Sequence, residues 1–192
     1  MEQIRVIFLE DDADFSFLVK KAIERDCDLS FDGTADAAKA GISLAKKLRP
    51  DVALIDLNLA DGELTGIKAA HDIRTSTNAK VLLFTSVERE DVVISAGKKA
   101  YASGYIKKSS LRSLTTRIKE CFHSITPEAL YIKTLLLSEL TNAERDVLRL
   151  LTANEDVFFR SSPKTIANQK TSIYRKLGVR DQHELMRVVR NF

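Results

Sequence analysis

Five times between Ile4 and Phe122 a short apolar run gives way to a stretch whose apolar residues recur at helical spacing. That alternation leaves few folds open. The runs are Ile4–Leu9, 29–31, 52–57, Lys80–Thr85 and 105–106, too short for helices and, in the strongest cases, rich in Val and Ile, as buried strands are. The helical pattern is carried by Phe15, Leu18, Val19, Ala22 and Ile23, then by Ala37, Ala38, Gly41, Leu44, Ala45 and Leu48. It returns over 64–74 and 92–99, and finally at Leu111, Leu114, Ile118 and Phe122. Pro50 disfavours helix at the residue before it and so ends the second helix. Repeated β-α units predict a doubly wound parallel five-stranded sheet with helices on both faces, an α/β fold. Strands apolar along their whole length fit burial on both sides.

Sites in such sheets gather at the carboxyl ends of the strands. Glu10-Asp11-Asp12 follows the first strand, Asp56 and then Asn58 the third, Thr85-Ser86 the fourth, and Lys107-Lys108 the fifth. A polar residue at one strand end merely begins a loop, but carboxylates, a hydroxyl and an amine at four ends converge on one rim. Clustered carboxylates repel each other and imply a bound cation; hard oxygen ligands suit Mg²⁺.

The stretches FLEDDAD, PDVALIDLNLADG, VLLFTS and GYIKK stand in an order and spacing that resembles the receiver domain of two-component response regulators, over about residues 4–122. The resemblance implies a flavodoxin-like sheet, Asp56 as phosphoacceptor, and Mg²⁺ held by Glu10, Asp11, Asp56 and the Asn58 backbone carbonyl. It further implies that Thr85 contacts the phosphoryl group, that Lys108 and not Lys107 is the paired amine, and that Tyr105 is the aromatic switch residue. The implied partner is a histidine kinase. The chain departs from the family in having Ala60 where proline is usual, and in a 61–66 loop about two residues longer.

The last third of the chain has a different character. Residues 1–123 carry no net charge, whereas between 160 and 190 eight Lys/Arg face only Asp181 and Glu184, a net +6. Residues 124–137 are expected to be a linker containing a short helix capped by Thr126 with Pro127 at its first position. Thr141 and Glu144 have the spacing of a capping box. Val147, Leu148, Leu150 and Leu151 give the helix after them a core face. Ser162-Pro163 opens another helix, with Ile166, Ile173, Tyr174 and Leu177 as its stripe and Gly178 as its stop. Leu185, Val188 and Val189 mark a last one.

LTNAERDVLRLL and SPKTIANQKTSIYRKLGV resemble the NarL/LuxR-type helix-turn-helix domain, here a small all-α unit over 138–192. The resemblance implies double-stranded DNA binding, with the second stretch as recognition helix. Asn168 and Thr171 stand where the family places base contacts, and asparagine pairs bidentately with adenine. Lys164, Thr165, Lys170, Arg175 and Lys176 complete the expected DNA-binding set. Two departures bear on it: Ala167 replaces a usual basic residue, and the ten residues 152–161 are about five too few for the scaffold helix, leaving Phe158 and Phe159 to hold the core beside an acidic Glu155-Asp156 pair.

Cys27 and Cys121, His71, His123 and His183 are scattered and give no metal-ligand spacing. The amino terminus is acidic by Asp14 and does not read as a signal peptide, and no apolar run reaches membrane-spanning length. A cytoplasmic phosphoryl acceptor rather than an enzyme is expected, dimeric when active, with transcription control as output. The alternative is a protein-interaction module whose shortened helix-turn-helix no longer binds DNA; an RNA-binding output has little aromatic support.

Overall fold

The computed structural model describes residues 3–152 and 162–190. Five strands, β1 (Ile4–Leu9), β2 (Leu29–Ala35), β3 (Val52–Ile55), β4 (Lys80–Thr85) and β5 (Gly104–Lys107), form one parallel sheet in the order β2-β1-β3-β4-β5. The helices between them are α1 (Ala13–Glu24), α2 (Ala38–Leu48), α3 (Thr65–Ser76), α4 (Glu90–Ala100) and, after a 3₁₀ turn at Lys108–Ser113, α5 (Leu114–His123). Alternate strand residues feed two cores. Ile7, Leu9, Ala53, Ile55, Val81 and Leu83 pack toward α2, α3 and α4. Val6, Phe8, Val52, Leu54, Leu82 and Phe84 pack toward α1 and α5. The second strand runs four residues beyond the 29–31 signal, through Asp32, Gly33 and Thr34, which a scan for apolar runs passes over.

The segment read as a linker is mostly helix. Thr126 caps α6 (Pro127–Ser138) by accepting from the Ala129 N–H at 3.1 Å, as expected, but the helix runs three turns. Ala129, Ile132 and Leu136 are buried, with α6 against α4 and β5. The helices α7 (Asn142–Thr152), α8 (Pro163–Leu177) and α9 (Gln182–Arg190) follow. The capping box closes in both directions: the Glu144 N–H donates to Thr141 Oγ1 at 3.2 Å and the Thr141 N–H to Glu144 Oε2 at 2.7 Å. Gly178 ends α8 at φ 68°. Glu155, Asp156, Phe158 and Phe159, the shortened scaffold, lie outside the described residues. Among the described residues no helix is long and apolar enough to cross a membrane.

A third core joins α6–α9 to the sheet unit through Tyr101, the residue after α4. Tyr101 is buried, its hydroxyl donates to the Leu177 carbonyl, and its ring lies 5.3 Å from that of His71 on α3. Arg74 of α3 is fully buried: its Nε donates to the Tyr101 carbonyl (3.4 Å) and Nη2 to that of Val188 on α9 (3.3 Å). Burial lowers the Arg74 pKa to about 10, so it stays charged at neutral pH. Arg187 of α9 returns a bond to the Thr75 carbonyl at 2.8 Å. Charge-assisted bonds of this kind contribute about 1.5–3 kcal/mol each. Arg74→Ala is therefore expected to lower stability by about 2–4 kcal/mol and to loosen α9 from α3. Urea unfolding and small-angle scattering check this; an unchanged midpoint and radius of gyration would remove the joint from the account.

Candidate functional site

The carboxyl ends of β1, β3 and β5 bring Glu10, Asp56 and Lys108 into contact. The Lys108 Nζ lies 2.6 Å from Glu10 Oε2 and 2.6 Å from Asp56 Oδ2, with both carboxylates buried. Its ammonium also sits 5.0 Å from the centre of the Phe15 ring, a cation–π contact from α1 that the sequence reading did not include. Burial pulls the Lys108 pKa down, but its bonds and charge pairing with Asp56 and Glu10 outweigh it and leave the pKa raised. Burial raises that of Glu10, offset in part by Lys108. The amine at this spot is Lys108; Lys107 points elsewhere and pairs with Glu88 at 3.6 Å.

The three acidic residues after β1 divide by role. Asp12 caps α1, accepting from the Phe15 N–H at 2.9 Å. Asp11 is exposed, and its carboxylate joins those of Glu10 and Asp56 in one group with oxygens within 4.8 Å of each other. Asp56 Oδ1 is buried with no hydrogen-bond partner among the described residues. A bare carboxylate oxygen beside two further carboxylates is a fitting donor set for a hard divalent cation such as Mg²⁺. The Asn58 side chain is turned into the loop after β3, where its Oδ1 accepts from the Leu64 N–H at 3.1 Å.

That loop explains both departures noted in the sequence. The Ala60 N–H donates to the Asp36 carbonyl at 3.0 Å, a bond proline has no N–H to make. Residues Leu59 and Gly62 exchange backbone bonds across a tight turn, which takes up the extra length. Asp61 accepts from the Ala38 N–H at 3.2 Å and so caps α2, whose own Ala37 cannot. Gly66 lies against Asp56: a Cβ there would stand 1.8 Å from the Asp56 carbonyl oxygen.

Thr85 is buried at the end of β4 and its Oγ1 accepts from the Val87 N–H at 3.3 Å. The Tyr105 hydroxyl donates to the Val87 carbonyl at 2.8 Å. Both predicted switch residues are thus tied to one peptide neighbour, Val87, which no sequence signal singled out.

On α8, the exposed residues include Lys164, Thr165, Asn168, Thr171 and Arg175. Lys164, Asn168, Thr171 and Arg175 recur at helical spacing and so share one face. Two predicted phosphate contacts differ. Lys176 pairs with buried Glu144 at 2.6 Å, and Lys170 donates to Gln182 Oε1 at 3.1 Å while lying over Tyr174. Glu144 also accepts from Ser172 at 2.7 Å. Burial alone would raise the Glu144 pKa, but these bonds, with those to Thr141, hold it at about 2. The spacing of Lys176 suits both a surface and an internal role, and a buried carboxylate on the next helix decides between them.

Residues 6–119 match the model of the response regulator receiver domain. The chain belongs to that family. An uncharacterized transcriptional regulatory protein, YxjL of Bacillus subtilis, is 28% identical over 151 residues, 74% of this chain and 68% of the relative. The response regulator VraR of Staphylococcus saprophyticus is 24% identical over 195 residues, 93% and 92% of the two chains. In fold, the chain resembles the Salmonella typhimurium response regulator RcsB (TM-score 0.57, 23% identity, 97% of each chain). It also resembles a LuxR-family two-component response regulator of Aurantimonas (TM-score 0.59, 24% identity, 68% of this chain and 94% of that one). The alignment to RcsB and VraR over nearly the full length fits a two-domain regulator.

Gly66→Ala is expected to push the loop off the Asp56 carbonyl, costing about 1–3 kcal/mol. Urea unfolding checks this; a wild-type midpoint would mean the contact is not limiting.

Proposed function

We propose that this response regulator accepts a phosphoryl group on Asp56 from a histidine kinase and controls transcription by binding double-stranded DNA through α8. The observation that carries the first half is the bare Asp56 Oδ1 beside Lys108 and Glu10. One carboxylate oxygen of Asp56 attacks phosphorus, the P–N bond to the kinase imidazole breaks, and its electron pair stays on the leaving nitrogen. Lys108 holds Oδ2 and neutralises negative charge that gathers on the transferring group. Mg²⁺ held by Glu10, Asp11, Asp56 and the Asn58 carbonyl supplies further neutralisation when bound. The protein is an acceptor rather than an enzyme with a turned-over substrate, and a cytoplasmic place is part of this reading.

The new phosphoryl oxygens offer Thr85 a stronger partner than the Val87 N–H. Once Thr85 turns, the loop carrying Val87 shifts and Tyr105 loses its carbonyl partner, giving two arrangements of one linked set. The DNA half rests on the exposed face of Lys164, Asn168, Thr171 and Arg175. With that face already open, phosphorylation acts by bringing two copies together as a dimer rather than by uncovering α8; two readers then address half-sites about one helical turn apart or a multiple of it. The protein-interaction alternative draws on Lys170 and Lys176 being committed inside the domain.

Selection from a randomised duplex pool, with Mg²⁺ with and without acetyl phosphate, tests the proposal. Salt-sensitive, sequence-selective enrichment that rises on phosphorylation, and does not rise in Asp56→Asn, is expected. No enrichment from protein shown to carry the phosphoryl group would favour the interaction module. Asn168→Ala is expected to cost about 1–3 kcal/mol of discrimination at one base step; uniform weakening across sequences would move Asn168 to a backbone role.

A further inference from the structure

A lysine ammonium carries three N–H donors. In Lys108 two of them are taken by Glu10 Oε2 and Asp56 Oδ2, each 2.6 Å from Nζ. Among the described residues no third oxygen accepts from it. The amine is covered on a further side by the half-buried Phe15 ring, whose centre lies 5.0 Å from Nζ. That is inside the roughly 6 Å over which an aromatic face attracts a cation. Phe15 is itself held from several directions. Its ring packs edge to face on Phe8 of β1, with centroids 6.2 Å apart, and lies 5.6 Å from the ring of Phe84 of β4. Phe8 and Phe84 lie 5.7 Å from each other, which closes the cluster. The Phe15 N–H donates to the Asp12 side chain at 2.9 Å. By capping α1, Asp12 therefore fixes the turn from which the ring reaches the rim.

We propose that Phe15 is a positioning residue for phosphoryl transfer: its ring face holds the Lys108 ammonium at the rim while leaving the third N–H for an oxygen of the incoming phosphoryl group. The role rests on the reading of Asp56 as acceptor. Lys108 meets the transferring group, and Phe15 acts only through Lys108. The chemistry of the ring suits this task. An aromatic face attracts a cation by its quadrupole, so it takes no N–H donor and adds no formal charge. A third carboxylate in its place would occupy the last donor and add to the repulsion between Glu10 and Asp56. An aliphatic side chain would set the ammonium against hydrocarbon with nothing to offset its lost hydration. The ring cluster spans β1, α1 and β4, so the amine at the end of β5 is placed by a packed unit and not by its own flexible stem alone.

The full chain carrying phenylalanine with one, two or three ring fluorines at position 15 tests the proposal, because fluorine withdraws electron density from the ring face and keeps the ring's outline. The rate of Mg²⁺-dependent labelling of Asp56 by acetyl phosphate is expected to fall stepwise with each fluorine. With three it is expected to be about three- to tenfold slower than wild type, and Phe15→Leu is expected to be slowed at least as far. Urea midpoints measured on the same proteins separate positioning from packing: the rate falls along the fluorine series while the midpoint holds. In nuclear magnetic resonance spectra the Lys108 ε-methylene protons, lying near the ring face, are expected to be shifted upfield by the ring current, and Phe15→Leu to abolish that shift. A labelling rate independent of fluorine number, or a Lys108 shift unchanged in Phe15→Leu, would overturn the positioning role and leave Asp56 as the acceptor. No label at Asp56 in the wild-type chain would overturn the acceptor reading itself, and this role with it.

Discussion

The Lys108 ammonium, within 2.6 Å of both Glu10 and Asp56, is the interaction on which the rest of the rim depends. Two buried carboxylates side by side repel each other, and removing one partner from such a cluster is far more costly than the net gain of forming it. The single amine neutralises part of that charge, fixes Asp56 through Oδ2, and leaves Oδ1 bare. One lysine at the end of β5 thereby holds a buried carboxylate by one oxygen and leaves the other open. The remaining negative charge is what a divalent cation would answer.

The sheet unit carries two joints at different heights. At the Asp56 end, Thr85 and Tyr105 meet at Val87. Farther along, Tyr101, beyond α4, enters the core of the helical unit, and Arg74 links α3 to α9. Since α4 lies between Val87 and Tyr101 in the chain, the β4–α4 loop is joined to the helical unit by a packed helix rather than a flexible tether. Residues 127–138, by folding as α6 on α4 and β5, make that connection stiffer than a linker would.

Much of this was legible in the sequence because it rests on local rules. Strand ends located Glu10, Asp56, Thr85 and the pair Lys107-Lys108, the family resemblance chose Lys108 of the pair, and caps located Thr126, Thr141, Ser162 and Gly178. What stayed hidden depends on contacts between distant segments. Nothing in the run Glu10-Asp11-Asp12 says that Asp12 is spent on capping α1, nor does a lysine in α8 reveal that Lys176 faces a buried Glu144 thirty-two residues away. Ala60 stood only as a departure from the family pattern, and its N–H is bonded to the Asp36 carbonyl; no sequence signal singled out Arg74, whose burial depends on contacts with α9.

The central claim is that Asp56 is the group this rim is built to phosphorylate. Intact-protein mass spectrometry of the full chain after incubation with acetyl phosphate, with and without Mg²⁺, followed by reduction with borohydride and peptide mapping, tests it most directly. The account predicts the gain of one phosphoryl group, dependent on Mg²⁺, and a reduced residue at Asp56. A phosphoryl group mapped to another residue, or none gained in the presence of Mg²⁺, would contradict it.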